Sequence, residues 1–295
     1  MSQRIWFVVL LILLGAGWGI TQPLAKIAVS GGYRNFGIIF WQMLIGAIVL
    51  GAFLFWRGRW SNFGRRQFIF AIFIALIGTI LPNGASYQAA IHLPAGVLSI
   101  AIAAVPMLAF PIALALRLDA FSWLRTLGLL MGMAGVAALV APGSLDGNIS
   151  PFWVLVALVG PMFYAIEGNT VAKVGMFGMD AVEVLFWASL VGTFIALPLC
   201  IANGTWINPI TPWGGPEYAI LAGSVIHAIV YTTYVWMVTR TGPVFAGQVS
   251  YLVTGFGVFW AILLLSESYS AGIWLSLILM ACGLFLVQPR LAEAE

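Results

Sequence analysis

Residues 67–116 read QFIFAIFIALIGTILPNGASYQAAIHLPAGVLSIAIAAVPMLAFPIALAL, and no Asp, Glu, Lys or Arg interrupts them. A water-facing surface cannot be built from such a stretch, since soluble domains carry roughly 25% charged residues. It divides at His92-Leu93-Pro94 into two runs, 67–91 and 94–116. Each is close to the length of about 20 residues that a helix needs to span the hydrocarbon core. The apolar residues are continuous and do not alternate, which excludes the strands of a membrane barrel. The rest of the chain repeats this pattern: 62% of the 295 residues are hydrophobic and 7% are charged. Breaks at charges, Gly/Pro clusters and polar runs give further segments at 4–29, 34–56, 121–141, 151–173, 181–202, 216–239, 243–265 and 270–288. The expected fold is all-α membrane, a bundle of ten transmembrane helices.

Lysine and arginine in the loops set the direction of such a bundle, with the excess facing the cytoplasm. With the N-terminus inside, the cytoplasmic face holds Arg4, Arg57, Arg59, Arg65, Arg66, Arg117, Arg125, Lys173, Arg240 and Arg290, and the outer face only Lys26 and Arg34. Both termini are then cytoplasmic, which requires an even number of spans. Topology also accounts for the net charge of +3, which does not point to nucleic acid. The first apolar stretch, Ile5 to Ile20, lacks an A-x-A-like cleavage site and runs on through Pro23 to Lys26, so it reads as the first span and not as a signal peptide. The longest connections, Pro142–Pro151 and Asn203–Pro216, are too short for a soluble domain, and Trp206 and Trp213 in the second suit the membrane interface. Cys200 and Cys282 lie in apolar segments and read as packing residues.

The second half of the chain echoes the first. Leu24-Ala25-Lys26 answers Val171-Ala172-Lys173 at an offset of 147. Asp119-Ala120-Phe121-Ser122 answers Glu267-Ser268-Tyr269-Ser270 at 148, as Gly135 answers Gly283, and Pro94 and Pro243, each opening a segment, are 149 apart. The halves 1–145 and 146–295 then hold five spans each, and an odd number inverts the second half relative to the first. Inverted repeats of this kind are a plan of secondary transporters, whose substrate site lies near the midplane between the halves.

These residues carry a resemblance. Ten spans in two five-helix repeats, with a first span reading Gly17-Trp18-Gly19 and then Pro23-Leu24-Ala25-Lys26, resemble the drug/metabolite transporter superfamily in its EamA-type branch. The Pro-led fourth and ninth spans fit, as do the acidic residues before the last span of each half (Asp119, Glu267) and Gly135 and Gly283 beyond them. The resemblance covers essentially the whole chain and is greatest to aromatic amino-acid exporters of YddG type. It departs at Arg117-Leu118-Asp119, where the family usually has Gly-Glu-Arg. It implies export of small metabolites such as amino acids, through a cavity lined by spans 1, 3, 4, 6, 8 and 9.

Polar side chains deep in a span are costly and face a cavity or another helix. In the eighth segment His227, Tyr231 and Tyr234 recur at i, i+4 and i+7, on one face. In the third, Asn83 and Tyr87 share a face with Gln88 beside them. The first presents Gly15, Gly19, Gln22 and Lys26 on one stripe, with Trp18 adjoining. The sixth presents Phe163, Glu167 and Thr170, near Tyr164 and Asn169, and the ninth Gln248, Tyr251 and Gly255. The substrate-binding candidates are Trp18, Gln22, Asn83, Tyr87, Phe163, Tyr164, Glu167, His227, Tyr231, Tyr234, Gln248 and Tyr251. This set suits an amphiphilic zwitterion: aromatic walls hold an apolar side chain and attract an ammonium, while amides and hydroxyls bind a carboxylate. Pro82, Pro106 and Pro111 free backbone carbonyls and are gating or hinge candidates.

Plainer roles stand beside these. Tyrosine and tryptophan also pack, His227 also serves as a neutral hydrogen-bonded residue, Glu167 also pairs with a residue such as Lys173, and Lys26 also snorkels outward. Gly128-x-x-x-Gly132 reads as close helix packing, within a protomer or across a homodimer. There is no Walker motif, no His-Glu-x-x-His, no Gly-x-Ser-x-Gly, and only His92 and His227 among histidines. The expectation is a cofactor-free, metal-free exporter of small amphiphilic metabolites, partnered by substrate and the lipid of the inner membrane. A proton-coupled transporter of drugs or other metabolites is the alternative of the same fold; an intramembrane enzyme is the alternative of another class.

Overall fold

In a computed structural model, which describes residues 3–58, 60–141, 150–241 and 249–286, the apolar runs are helices, and among the described residues there is no strand. In chain order these are α1 (Gln3–Gly19), α2 (Thr21–Ser30), α3 (Asn35–Arg57), α4 (Arg65–Phe73), a π-helical stretch (Ile74–Ile80), α5 (Leu81–His92), α6 (Ala95–Ile102) and α7 (Ala104–Ala115). They continue as α8 (Trp123–Val140), α9 (Phe152–Val174), α10 (Ala181–Ala202), α11 (Gly215–Thr241), α12 (Val249–Leu265) and α13 (Ala271–Leu286). Among the described residues, six stretches are long and apolar enough to cross a membrane: Ile5–Ser30, Asn35–Arg57, Arg65–His92, Ala95–Ala115, Phe152–Val174 and Ala181–Ala202. Trp123–Leu139, Val249–Leu265 and Ala271–Leu286 are shorter apolar helices. The start of the segment expected at 243 lies outside the described residues.

Proline decides where the helices break. It has no N–H to give the carbonyl four residues back. Four residues before Pro23 is Gly19, where α1 ends; four before Pro106 is Ile102, where α6 ends. Four before Pro82 is Gly78, inside the π-helical stretch, which closes with Leu81 N–H donating to the carbonyl of Leu76, five residues back. Pro111, by contrast, lies within a continuous α7. Of the hinge candidates, Pro82 and Pro106 therefore mark irregular backbone and Pro111 does not.

Small residues bring the helices together. A Cβ built on Gly283 of α13 would lie 2.6 Å from the Gly128 carbonyl oxygen and 2.9 Å from the Gly132 nitrogen of α8. A Cβ on Gly135 of α8 would lie 3.2 Å from the Ser276 carbonyl oxygen and 3.2 Å from the Met280 nitrogen of α13. Adding 148 to 128, 132 and 135 gives 276, 280 and 283, so one contact is the image of the other. Gly128-x-x-x-Gly132 thus packs inside the protomer. Gly15 and Gly19, expected on a cavity stripe, instead face Leu252, Phe256 and Gly257 of α12, because a glycine surface lets two backbones approach. Large apolar side chains such as Phe55, Leu130, Phe194 and Phe285 cover the outside, as a lipid solvent allows.

The turn between α5 and α6 is held from two sides. Glu267 accepts from the N–H groups of Ala95 (2.7 Å) and Gly96 (3.1 Å), two of the unpaired amides at the start of α6, and from Tyr269 Oη (2.6 Å). Burial and the bond to Glu267 push the Tyr269 phenol up from its ordinary value, so it stays a donor. Lys26 does not snorkel outward: its Nζ donates to the carbonyls of Ala90 (2.7 Å) and Ile91 (3.4 Å) at the end of α5. At the far end of α7, Asp119 accepts from its neighbour Ala120 N–H (2.7 Å) and pairs with Arg125. The two acidic residues at matching places in the halves thus hold different partners.

Candidate functional site

A polar side chain inside an apolar bundle must find partners within the protein, because a half-satisfied group in a low dielectric is expensive. Four such side chains, from α3, α5 and α9, find one another. Gln42 Oε1 accepts from Asn83 Nδ2 (3.0 Å) and from Tyr87 Oη (2.8 Å). Asn83 Oδ1 in turn accepts from Tyr164 Oη (2.9 Å). Gln42 and Asn83 are buried, so this network ties three helices through atoms that water does not reach freely. Gln42 is absent from the sequence candidates. Its signal is a single amide between Phe36 and Trp56, in a span that the family resemblance does not place around the cavity.

Glu167 follows Tyr164 by three residues on α9, on the same side of the helix. It is 6% exposed and accepts a hydrogen bond from Tyr231 Oη of α11 at 3.3 Å. Its carboxylate lies against Gly78 of the π-helical stretch, where a Cβ would sit 2.5 Å from Oε1 and 3.0 Å from Oε2. The expected pair with Lys173 is not formed: Lys173 is exposed near the end of α9, beyond the bundle interior.

The α11 face read from the sequence packs as one aromatic cluster against α1. The Trp18 ring lies 6.4 Å from His227, 5.6 Å from Tyr231 and 5.4 Å from Tyr234, centroid to centroid. Tyr231 stacks with His227 at 5.9 Å and with Tyr234 at 6.5 Å. Tyr231 therefore joins two parts of the site, its ring in the aromatic cluster and its hydroxyl on Glu167.

Other candidates lie elsewhere. Gln22 is half-buried on α2 with no side-chain hydrogen bond among the described residues, and Phe163 is half-buried beside Tyr164. Tyr251 lines a separate groove of about 320 Å³ with Leu252, Gly255, Phe256 and Phe259 on α12. Gln248 lies outside the described residues. Asn169 donates to the carbonyls of Ala109 (3.1 Å) and Ala165 (2.8 Å), a tie between α9 and α7. Among the described residues no three of His, Cys, Asp and Glu gather as metal ligands would.

The amide–phenol network carries a prediction. Asn83→Ala strands the Tyr164 hydroxyl, a buried donor whose loss of a partner costs about 1–3 kcal/mol, and leaves Gln42 Oε1 with Tyr87 alone. Tyr87→Phe leaves Gln42 Oε1 with Asn83 still donating, and should cost less. Thermal unfolding of the purified protein in detergent is expected to rank wild type above Tyr87→Phe and both above Asn83→Ala. Equal effects would mean that Asn83 is not the centre of the network.

Known proteins share this architecture. The profile of the EamA-like transporter family matches residues 5–141 and 151–288. The chain is 26% identical over 280 residues to the protein of Escherichia coli K12 called "Uncharacterized inner membrane transporter YedA", covering 92% of this chain and 86% of that one. It is 24% identical over 293 residues to a WAT1-related protein of Arabidopsis thaliana, covering 89% and 84%. A solved crystal structure shares its fold with a TM-score of 0.64 at 18% identity, covering 97% of this chain and 96% of that one.

Proposed function

We propose, for a chain that belongs to the EamA-like transporter family and is a multi-pass membrane transporter, that its cargo is small amphiphilic metabolites, amino acids with aromatic or other apolar side chains foremost, exported across the inner membrane by alternating access. The observation that carries this reading is the junction at Tyr231 of an aromatic cluster with a buried carboxylate, a surface with one apolar and one polar side. An amino acid of apolar side chain has the same two sides. The name of the Escherichia coli relative, an inner membrane transporter, supports the inner membrane as location.

The transport cycle follows from the repeat. Ten spans, with both termini in the cytoplasm, form two five-helix halves of opposite orientation, 1–145 and 146–295. The reciprocal contact of α8 with α13 at an offset of 148 supports that relation. The halves rock about a site near the midplane. The breaks before Pro23, Pro82 and Pro106 supply the bending points, since a helix missing one of its backbone bonds yields there first. Aromatic amino-acid exporters of YddG type, which the chain resembles, set the first cargo to try.

The test is movement of labelled amino acids in sealed proteoliposomes, with and without an imposed pH gradient. Saturable flux of aromatic amino acids is expected, and Tyr231→Ala and His227→Ala should lower it by about tenfold or more, the loss of one good desolvated contact. Expression and elution profile should stay those of the wild type. Flux that no amino acid saturates would remove the amino-acid reading and leave the family assignment intact.

A further inference from the structure

We infer that Glu167 is the seat for the ammonium group of the transported molecule, so that the site accepts amines and zwitterions and rejects carboxylic acids that lack an amine. This rests on the export reading above and adds to it the group recognised.

Three observations meet at this carboxylate. The first is its lack of a partner. Every other described carboxylate is tied to a cation or to backbone amides. Asp119 is held by Arg125 and Asp180 by Arg57. Glu183 takes the N–H groups of Asp180 and Ser61, Glu217 takes Gly214 N–H and Tyr33 Oη, and Glu267 takes Ala95 and Gly96 N–H. Glu167, 94% buried by the complement of its 6% exposure, has one phenol at 3.3 Å and no Lys, Arg or backbone N–H among the described residues. A buried acidic group that lacks a cation is costly, and the cost is relieved when a ligand brings one.

The second is the wall opposite. Gly78 presents no side chain to the carboxylate, and any Cβ there would press on both of its oxygens. That glycine sits in the π-helical stretch Ile74–Ile80, a local widening of a kind found often at functional sites. The third is the aromatic cluster. Tyr231, the one hydrogen-bond donor to Glu167, belongs with Trp18, His227 and Tyr234 to a group of ring faces, and such faces attract ammonium groups. An ammonium seated on Glu167 would have its charge met by the carboxylate and its carbon skeleton by the rings.

The experiment is competition against labelled phenylalanine in proteoliposomes by phenethylamine, which lacks the carboxylate, and by phenylpropionate, which lacks the amine. A parallel reading is the rise in unfolding temperature that each compound gives the purified protein. For wild type, phenethylamine is expected to compete about tenfold or more better than phenylpropionate, the scale set by one desolvated charge pair. In Glu167→Gln that preference should fall to within about twofold, and Glu167→Asp should keep most of it. Gly78→Ala, which keeps the charge and moves the carboxylate, should also lose the preference. An unchanged preference in Glu167→Gln overturns the inference, as does a variant that loses only the pH dependence of flux, because Glu167 would then carry a proton and not the substrate. If wild type moves no amino acid, the export reading fails separately. In that case stabilisation by phenethylamine, absent in Glu167→Gln, upholds the seat, and no stabilisation of wild type by the amine overturns it.

Discussion

Gly283→Ala is expected to lower the unfolding temperature in detergent well below that of Gly135→Ala, although both change one glycine at one helix crossing. The new methyl of Gly283→Ala would meet backbone at 2.6 Å and 2.9 Å, and backbone cannot rotate aside. In Gly135→Ala the nearest atom is Met280 Cγ at 2.6 Å, the stem of a flexible side chain, with backbone no nearer than 3.2 Å. Overpacking of a tight contact costs about 1–3 kcal/mol, with the upper end where nothing can yield. Against a folding free energy of about 5–15 kcal/mol, such a change takes a large share of the stability without emptying the folded state. Size-exclusion profiles and unfolding temperatures of the two variants check the order. Equal losses would show that α13 slides on α8 to absorb the methyl.

Glu267→Ala should be the second large effect. It strands the N–H groups of Ala95 and Gly96 and the hydroxyl of Tyr269 together. Each buried donor left without a partner costs about 1–3 kcal/mol. Glu267→Gln keeps one carbonyl oxygen, enough for one amide, and loses the negative charge that favours a helix N-terminus. The unfolding temperature is therefore expected to fall in two steps, first for Glu267→Gln and further for Glu267→Ala. Asp119→Ala, at the matching place in the other half, strands no helix amide but leaves the buried guanidinium of Arg125 without its carboxylate, so its loss should be relieved when Arg125→Leu removes that charge as well. An Asp119→Ala loss that Arg125→Leu does not relieve would contradict this account of the corner.

The helices were legible in the sequence because their ends are written in charge and turn chemistry. The segment expected at 181–202 is α10, Ala181–Ala202, bounded by the capping Asp180 and by Asn203-Gly204. The face of His227, Tyr231 and Tyr234 was legible from spacing alone, since helical period fixes which side chains stand together. Their partner Trp18 adjoins the Gly15 and Gly19 stripe in the sequence, which does not say what faces it. Gly15 and Gly19 share its helix, but a glycine reads equally as cavity wall or as packing surface until the facing helix is known. The Gln42–Asn83–Tyr164 network was only half legible. Its members are 41 and 81 residues apart, and no periodicity reaches across such separations. The difference between Asp119 and Glu267 was hidden for the same reason, as the partners of Glu267 lie 172 and 171 residues away.

The mutual image of the α8–α13 contact has a mechanical consequence. A contact that maps onto itself when the halves are exchanged lies on the axis of that exchange. Points on an axis are the ones a rotation leaves in place, so the crossing of Gly128, Gly132 and Gly135 with Ser276, Met280 and Gly283 would act as a fulcrum. Displacement grows with the lever arm from it, least along α8 and α13 and greatest in the helices that lie farthest from their crossing. In the proposed rocking cycle, pairs of spin labels spanning the fulcrum would hold a constant separation, a built-in ruler against which the swing of the distant helices can be read.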